Sequence, residues 1–358
     1  MASQLPLRIP ITYSPSWTLI PTHWCRNACG YCVFVERTGA RAQLVAPPPA
    51  RREIERAGAA GATELLIMSG EGVEESRPVR DSLRRFGFSS YIEYLISIAQ
   101  TALECDILPH VNIGNVSADE LNALRAVVPS MGMMIETTNE SLRKEAAHRR
   151  APDKEPARRL ETLCAAGRAR VPFTTGLLVG IGETPRAREE TLEAIARIHR
   201  VYGHIQEVIV QPFTPHPGTA MENHPAPSFA EVRETIEMAR RILPREIVVQ
   251  IPPNLSTQFV ELVQAGARDL GGVSPDGDRI NPTERWLAPD TYAAALASSG
   301  FSLRARLAVH DAWISSEWLS GESLSAVERV GPRLPRHPRV LASDVVENCS
   351  GRNFATHA

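Results

Sequence analysis

No stretch of this 358-residue chain approaches the ~18 uninterrupted apolar residues that a membrane-crossing helix needs, so none is expected. Its first residues, MASQLPLRIPITYSPS, lack a basic start followed by an apolar run, and no secretory signal is read there. Charge of one sign is not in excess either. Lys and Arg number 39 and Asp and Glu 41, a net charge of -2, which removes support for a generally basic nucleic-acid-binding surface. No internal repeat is visible beyond an alternation of short apolar runs and helical stretches. These absences lead to the expectation of a cytoplasmic protein with no membrane and no nucleic-acid partner. What is present is ordinary for an ordered globular chain: 43% apolar and 22% charged residues. The length suits about two average domains, or one α/β barrel of ~250 residues with extensions.

Short β-branched runs predict strands at residues 18–21, 64–68, 106–111, 132–136, 173–179, 207–211, 247–251 and 269–273. Helix signals fill the gaps between them, in PPPARREIERAGAAGA, SSYIEYLISIAQTALEC, SADELNALRAVV, EPARRLETLCAAG, TPRAREETLEAIARIHRVYG, SFAEVRETIEMARRIL and NLSTQFVELVQAGA. Ser117, Ser228 and Asn254 are placed as N-caps. Eight strand–helix units predict a (β/α)8 barrel, a doubly wound open sheet being the alternative. The expected division is a lead-in at 1–17, a barrel at 18–310 and a C-terminal appendage at 311–358. Residues 72–90 read as a long charged connection, and a short helix is expected at 323–330.

Cysteine is scarce and unevenly placed. Of six, Cys25, Cys29 and Cys32 fall within eight residues directly after the first predicted strand, while Cys105, Cys164 and Cys349 are scattered. Clustering argues for a local site rather than a disulfide framework. Three thiolates on one loop suit iron–sulfur or zinc. A four-iron cluster normally takes four cysteines, so three local ones would leave an iron open to a ligand. Structural zinc wants four closed ligands, and His23 is the candidate fourth. Gly30 is read as the residue that lets the loop bend between ligands. The scattered cysteines are taken as core or incidental residues.

The C-x3-C-x2-C spacing, with Tyr31 before the third cysteine, resembles the radical S-adenosylmethionine (SAM) superfamily. The resemblance implies a barrel of that kind. It also implies a [4Fe-4S] cluster on Cys25, Cys29 and Cys32, and SAM chelating the open iron, cleaved reductively to a 5′-deoxyadenosyl radical. Further segments match in turn. Ser69, Gly70 and Glu71 resemble the turn whose backbone holds the SAM ammonium. Glu136 stands where the family has a ribose-binding acid, and Arg159, before Leu160, where an Arg meets the SAM carboxylate. Gly176, Leu178, Gly180 and Glu183 follow the G-x-I-x-G-x-x-E pattern that implies Val179, Gly180 and Ile181 beside the adenine, with Tyr31 as a further neighbour. The Gly-x-Gly there lacks the Lys-Ser/Thr of a phosphate loop.

A narrower resemblance rests on ITYS (11–14), LPHVN (108–112), SMGMMIET (130–137), KEP (154–156), YGHIQEVIVQ (202–211), PHPGT (215–219), IPPNL (251–255) and GGVSP (271–275). Together these are similar to the CofG-type family of deazaflavin-chromophore (FO) synthase subunits. That likeness implies hydrogen abstraction from a tyrosine–ribitylaminouracil adduct, ring closure and loss of ammonia, the work of a carbon–nitrogen lyase. It also implies a companion radical SAM enzyme that makes the adduct, and a ferredoxin- or flavodoxin-type reductant. His110, Asn112, Gln211, Gln250 and Asn254, polar residues near strand ends, are the substrate candidates, and no general base is assigned. The alternatives are another radical SAM reaction of the same group, a zinc-stabilised binding module, or a carrier of electrons.

Overall fold

The computed structural model describes residues 9–335. Eight parallel strands form its centre: β1 (Ile9–Leu19), β2 (Glu64–Met68), β3 (Leu108–Asn112), β4 (Ser130–Gly132), β5 (Phe173–Val179), β6 (Ile205–Pro212), β7 (Val248–Gln250) and β8 (Asp269–Val273). Neighbours pair in chain order, and β1 pairs with both β2 and β8. The ring is therefore closed, as the (β/α)8 expectation requires, and the open-sheet alternative is excluded. A ninth strand, β9 (Phe301–Ala305), runs parallel to residues 9–13 of β1.

Helices cover the ring. Between β1 and β2 lies α1 (Pro47–Ala59); α2 (Arg77–Phe86) and α3 (Tyr91–Glu104) precede β3, and α4 (Ala118–Arg125) precedes β4. Then come α5 (Pro156–Arg168), α6 (Pro185–Tyr202), α7 (Phe229–Ile242) and α8 (Phe259–Ala265), each before the next strand, α9 (Pro289–Ala297) after β8, and α10 (Gly321–Val330) after β9. Local chemistry sets several ends. Ser117 and Ser228 each close a capping box with Glu120 and Glu231, satisfying backbone donors that the helix start leaves unpaired. All seven residues of β5 are buried, as expected for a strand covered on both faces. No helix among the described residues is long and apolar enough to cross a membrane.

The structure departs from the sequence reading in five places. β1 begins at Ile9, so residues 9–17 are barrel rather than lead-in; Pro10 and Pro15 argue against a strand locally, but Ile11 and Tyr13 are buried and β9 pairs with this half. The charged connection at 72–90 contains α2, whose Arg-rich outer face hides a helix that buries Val79 and Leu83 and is capped by Ser76 and Gly87. Asn254 caps no helix: α8 starts five residues later, and Asn254 sits in a short turn with Nδ2 donating to Asp278. β4 stops at Gly132, and the chain reaches Glu136 through irregular backbone. Residues 311–335 are no loose appendage, since Ala326, Val327 and Val330 of α10 join the main core. Cys349 lies outside the described residues.

The chain after β9 seals the barrel from below. Arg306 N donates to Tyr13 O beside β8, while Ala308 O accepts from Ser130 Oγ of β4 (3.0 Å) and Gln206 Nε2 of β6 (3.2 Å). Residues 306–308 thus span the N-terminal opening. The C-terminal opening, where active sites of this fold are built, carries the cysteine loop.

Candidate active site

Backbone contacts, made before any ligand is considered, place the cysteine loop. Arg26 N donates to Glu71 O at 2.9 Å, and Glu71 N donates to Cys25 Sγ at 3.2 Å, which fastens the loop to the end of β2. On the other side Ala28 N and Gly30 N donate to Arg150 O and Ala147 O, and Met221 N donates to Gly30 O. Gly30 is needed for close approach rather than for bending: a Cβ there would lie 2.2 Å from Ala146 O. Gly70 is held as tightly, since a Cβ would lie 2.3 Å from Cys25 Cβ and 2.4 Å from Trp24 O. Gly70→Ala is therefore expected to push Cys25 out of place and cut iron loading at least several-fold. Iron per protein in the purified variant checks this; wild-type loading would contradict the packing argument.

Cys25, Cys29 and Cys32 all line one cavity of about 370 Å³. Burial pushes the Cys29 thiol up to about 12, with the Lys154 ammonium as the chief opposing influence. Among the described residues, the Cys, His and acidic side chains whose ligand atoms all lie within 4.8 Å of one another are Glu207, Asp269 and His310, not the three cysteines. One tetrahedral zinc needs sulfurs ~3.8 Å apart, so the wider trio fits a multi-iron cluster better. His23 does not complete a zinc set. Its Nδ1 lies 2.9 Å from Phe34 O, and its ring packs on Phe34. Cys105 and Cys164 are half-buried free thiols on the barrel's outer helices. The donor set therefore suits an iron–sulfur cluster held by three residues.

Beside the thiols lies a buried charge network. Glu136 has left-handed backbone, φ 65°, a conformation side chains other than Gly seldom adopt and one that often marks functional sites. Its carboxylate accepts from Tyr31 Oη (2.5 Å), Lys154 Nζ (2.5 Å) and His148 Nε2 (3.0 Å). Burial alone would raise its pKa, but Lys154 and His148 outweigh that and hold it well below the usual carboxylate range. Arg159, fully buried, pairs with Glu71 and donates to Met134 O at 2.7 Å. The other Glu71 oxygen accepts from Asn115 N and Nδ2. The Arg158 guanidinium points elsewhere, to Asp153.

Ser69, Gly70, Glu71, Tyr31, Glu136 and Arg159 line the cavity together, as do His110, Asn112, Gln211, Gln250 and Asn254. Val179, Gly180 and Ile181 do not. Val179 belongs to the main core and Ile181 to a separate apolar cluster, and the backbone N–H groups of Gly180 and Ile181 donate to Glu183 at 2.8 Å. The β5 residue on the wall is Leu178, because inward-facing positions alternate along a strand. Sequence reasoning missed Lys154, although its Lys-Glu-Pro segment stood out, and His148, which carried no local signal. It also missed Glu64, Glu207 and Arg306, which close the cavity below.

A closed parallel barrel with three cysteines at its C-terminal mouth is the arrangement of radical SAM enzymes, and the family model described as Radical SAM superfamily matches residues 19–195. The chain is 42% identical over 322 residues to the 7,8-didemethyl-8-hydroxy-5-deazariboflavin synthase of Methanosarcina mazei, covering 89% of this chain and 94% of that protein. It is 40% identical over 325 residues to the synthase of the same name from Methanothermobacter thermautotrophicus, covering 90% and 98%. Within the radical SAM superfamily, the chain belongs to the family of 7,8-didemethyl-8-hydroxy-5-deazariboflavin synthases. Solved structures agree in fold alone. The FeFe-hydrogenase maturase HydG from Carboxydothermus hydrogenoformans superposes with a TM-score of 0.64 at 20% identity, over 83% of this chain and 68% of that one. Methylornithine synthase gives 0.62 at 14%, over 82% and 83%.

Proposed function

We propose that this chain converts a tyrosine–ribitylaminouracil adduct to 7,8-didemethyl-8-hydroxy-5-deazariboflavin, by hydrogen abstraction, ring closure and release of ammonia. The observation that carries this reading is one continuous cavity with three thiols at its rim and a polar interior below. Bound there, a [4Fe-4S] cluster and SAM would supply the 5′-deoxyadenosyl radical. Cys25, Cys29 and Cys32 hold the cluster, and the Ser69–Gly70–Glu71 turn meets the SAM ammonium. Arg159, its Nη groups held by Met134 O and Glu71, orients the SAM carboxylate by its fixed positive charge, and Glu136 accepts from the ribose hydroxyls. Tyr31, on the cavity wall, is assigned to the adenine side by family likeness; Val179, Gly180 and Ile181, which lie off that wall, are not.

Deeper in the barrel, Asn112, Gln211 and Gln250 present amides able to read a uracil edge. Asn254 stands at the rim, its Nδ2 held by Asp278. A companion radical SAM enzyme supplies the adduct and a ferredoxin- or flavodoxin-type protein supplies the electron. The test is an anaerobic assay of the reconstituted protein with SAM, reductant and adduct. 5′-Deoxyadenosine and the fluorescent deazaflavin are expected to form together. Deoxyadenosine without deazaflavin would keep the chemistry of the superfamily and overturn this substrate.

A further inference from the structure

The cavity continues to the bottom of the barrel, where its chemistry changes. Alternate residues face inward: Glu64, Leu66 and Met68 on β2, His110 and Asn112 on β3, and Glu207, Ile209 and Gln211 on β6. Gln211 is four residue steps beyond Glu207, so the floor lies ~13 Å along the strand from the upper layer. Two of its acids are already satisfied. Arg306 forks onto Asp269 (Nε–Oδ2 2.6 Å, Nη2–Oδ1 2.9 Å) and reaches Glu207 Oε1 at 2.8 Å. With its nitrogen turned toward Glu207, the Gln250 amide donates to it at 3.0 Å. The guanidinium among Glu207, Asp269 and His310 also rules out a metal ion there.

Two acceptors are left over. Glu64 is more than nine-tenths buried, receives one hydrogen bond, from Ser16 Oγ at 3.1 Å, and has no ion pair among the described residues. The second is His110 Nε2. Ser130 Oγ has one proton and gives it to Ala308 O, so the 2.8 Å contact between His110 Nδ1 and Ser130 Oγ makes Nδ1 the donor. Burial depresses the His110 pKa and keeps the ring neutral, leaving Nε2 as an acceptor on the cavity wall. The second Glu64 oxygen faces the cavity without a protein donor, and covering it with a ligand that offers none would be costly. The nearby Arg306 disfavours a cation as the missing partner, which leaves a neutral group rich in O–H donors.

We propose that Glu64 and His110 anchor the ribityl arm of substrate and product at the barrel floor, so that the ring system stands above them toward the thiols. This rests on the deazariboflavin reading given above. The test uses anaerobically purified holoenzyme and deazaflavin fluorescence. Affinity is measured for the product and for the same ring carrying a methyl group in place of the ribityl arm. Wild type is expected to bind the ribityl compound about ten-fold tighter or more, the size of a charged hydrogen bond. In Glu64→Gln that ratio should fall at least about three-fold, with affinity for the methyl compound unchanged. Equal wild-type affinities overturn the proposal without recourse to any variant, as does an unchanged ratio in Glu64→Gln. Wild-type turnover separates the two readings: deazaflavin formed with equal affinities sinks the anchor alone, whereas no deazaflavin sinks both.

Discussion

Cys29→Ala is expected to remove the iron–sulfur chromophore and reduce SAM cleavage by more than ~100-fold, since even groups that merely support metal ligands cost about 10–100-fold when lost. Among the described residues nothing nearby can take its place. Cys105 caps the end of α3 and packs on the main core, Cys164 is half-buried in α5, neither lines the cavity, and His23 is engaged by Phe34. Iron content and 5′-deoxyadenosine formation are the readouts, with Cys164→Ala as the control expected to behave as wild type. Full iron loading and cleavage in Cys29→Ala would show that the cluster is held by other residues.

The largest expected effect on stability comes from the floor. Arg306→Met leaves Asp269 and Glu207 buried without their cation, a loss of about 3–5 kcal/mol when one partner of a buried pair is removed. Thermal unfolding midpoints measure it, and a change of under about 1 kcal/mol would refute the role given to the pair. The pH dependence carries the sign. Burial pushes Asp269 up, but Arg306 outweighs it and brings the carboxyl down to about 2. A value below the ~3.9 of an unfolded Asp means a contribution fully present above about pH 4 and lost as pH falls toward 2. Glu207 has the opposite sign. Burial outweighs Arg306 and raises its pKa, so its protonation in the folded state offsets part of the acid loss. In Arg306→Met both carboxyls lose their cation and are raised by burial. Acidification from neutral pH toward 4 should then stabilise the variant relative to wild type.

The features legible in the chain were those made by near neighbours in sequence. Cys25, Cys29 and Cys32 share one loop, the Ser117 and Ser228 caps act three residues ahead, and β5 is a short run of β-branched and apolar residues around Gly176, so each carries its physics within a few residues. The closed barrel was legible for the same reason, because strand–helix rhythm limits how parallel strands can connect. Tertiary structure alone brought Lys154 and His148 to Glu136 and carried Arg306 beneath the barrel to Glu207, 99 residues earlier in the chain. A lone charged residue has no local signature of its partner. Closing the ring decides which charges share a buried space, and desolvation there makes each pairing count.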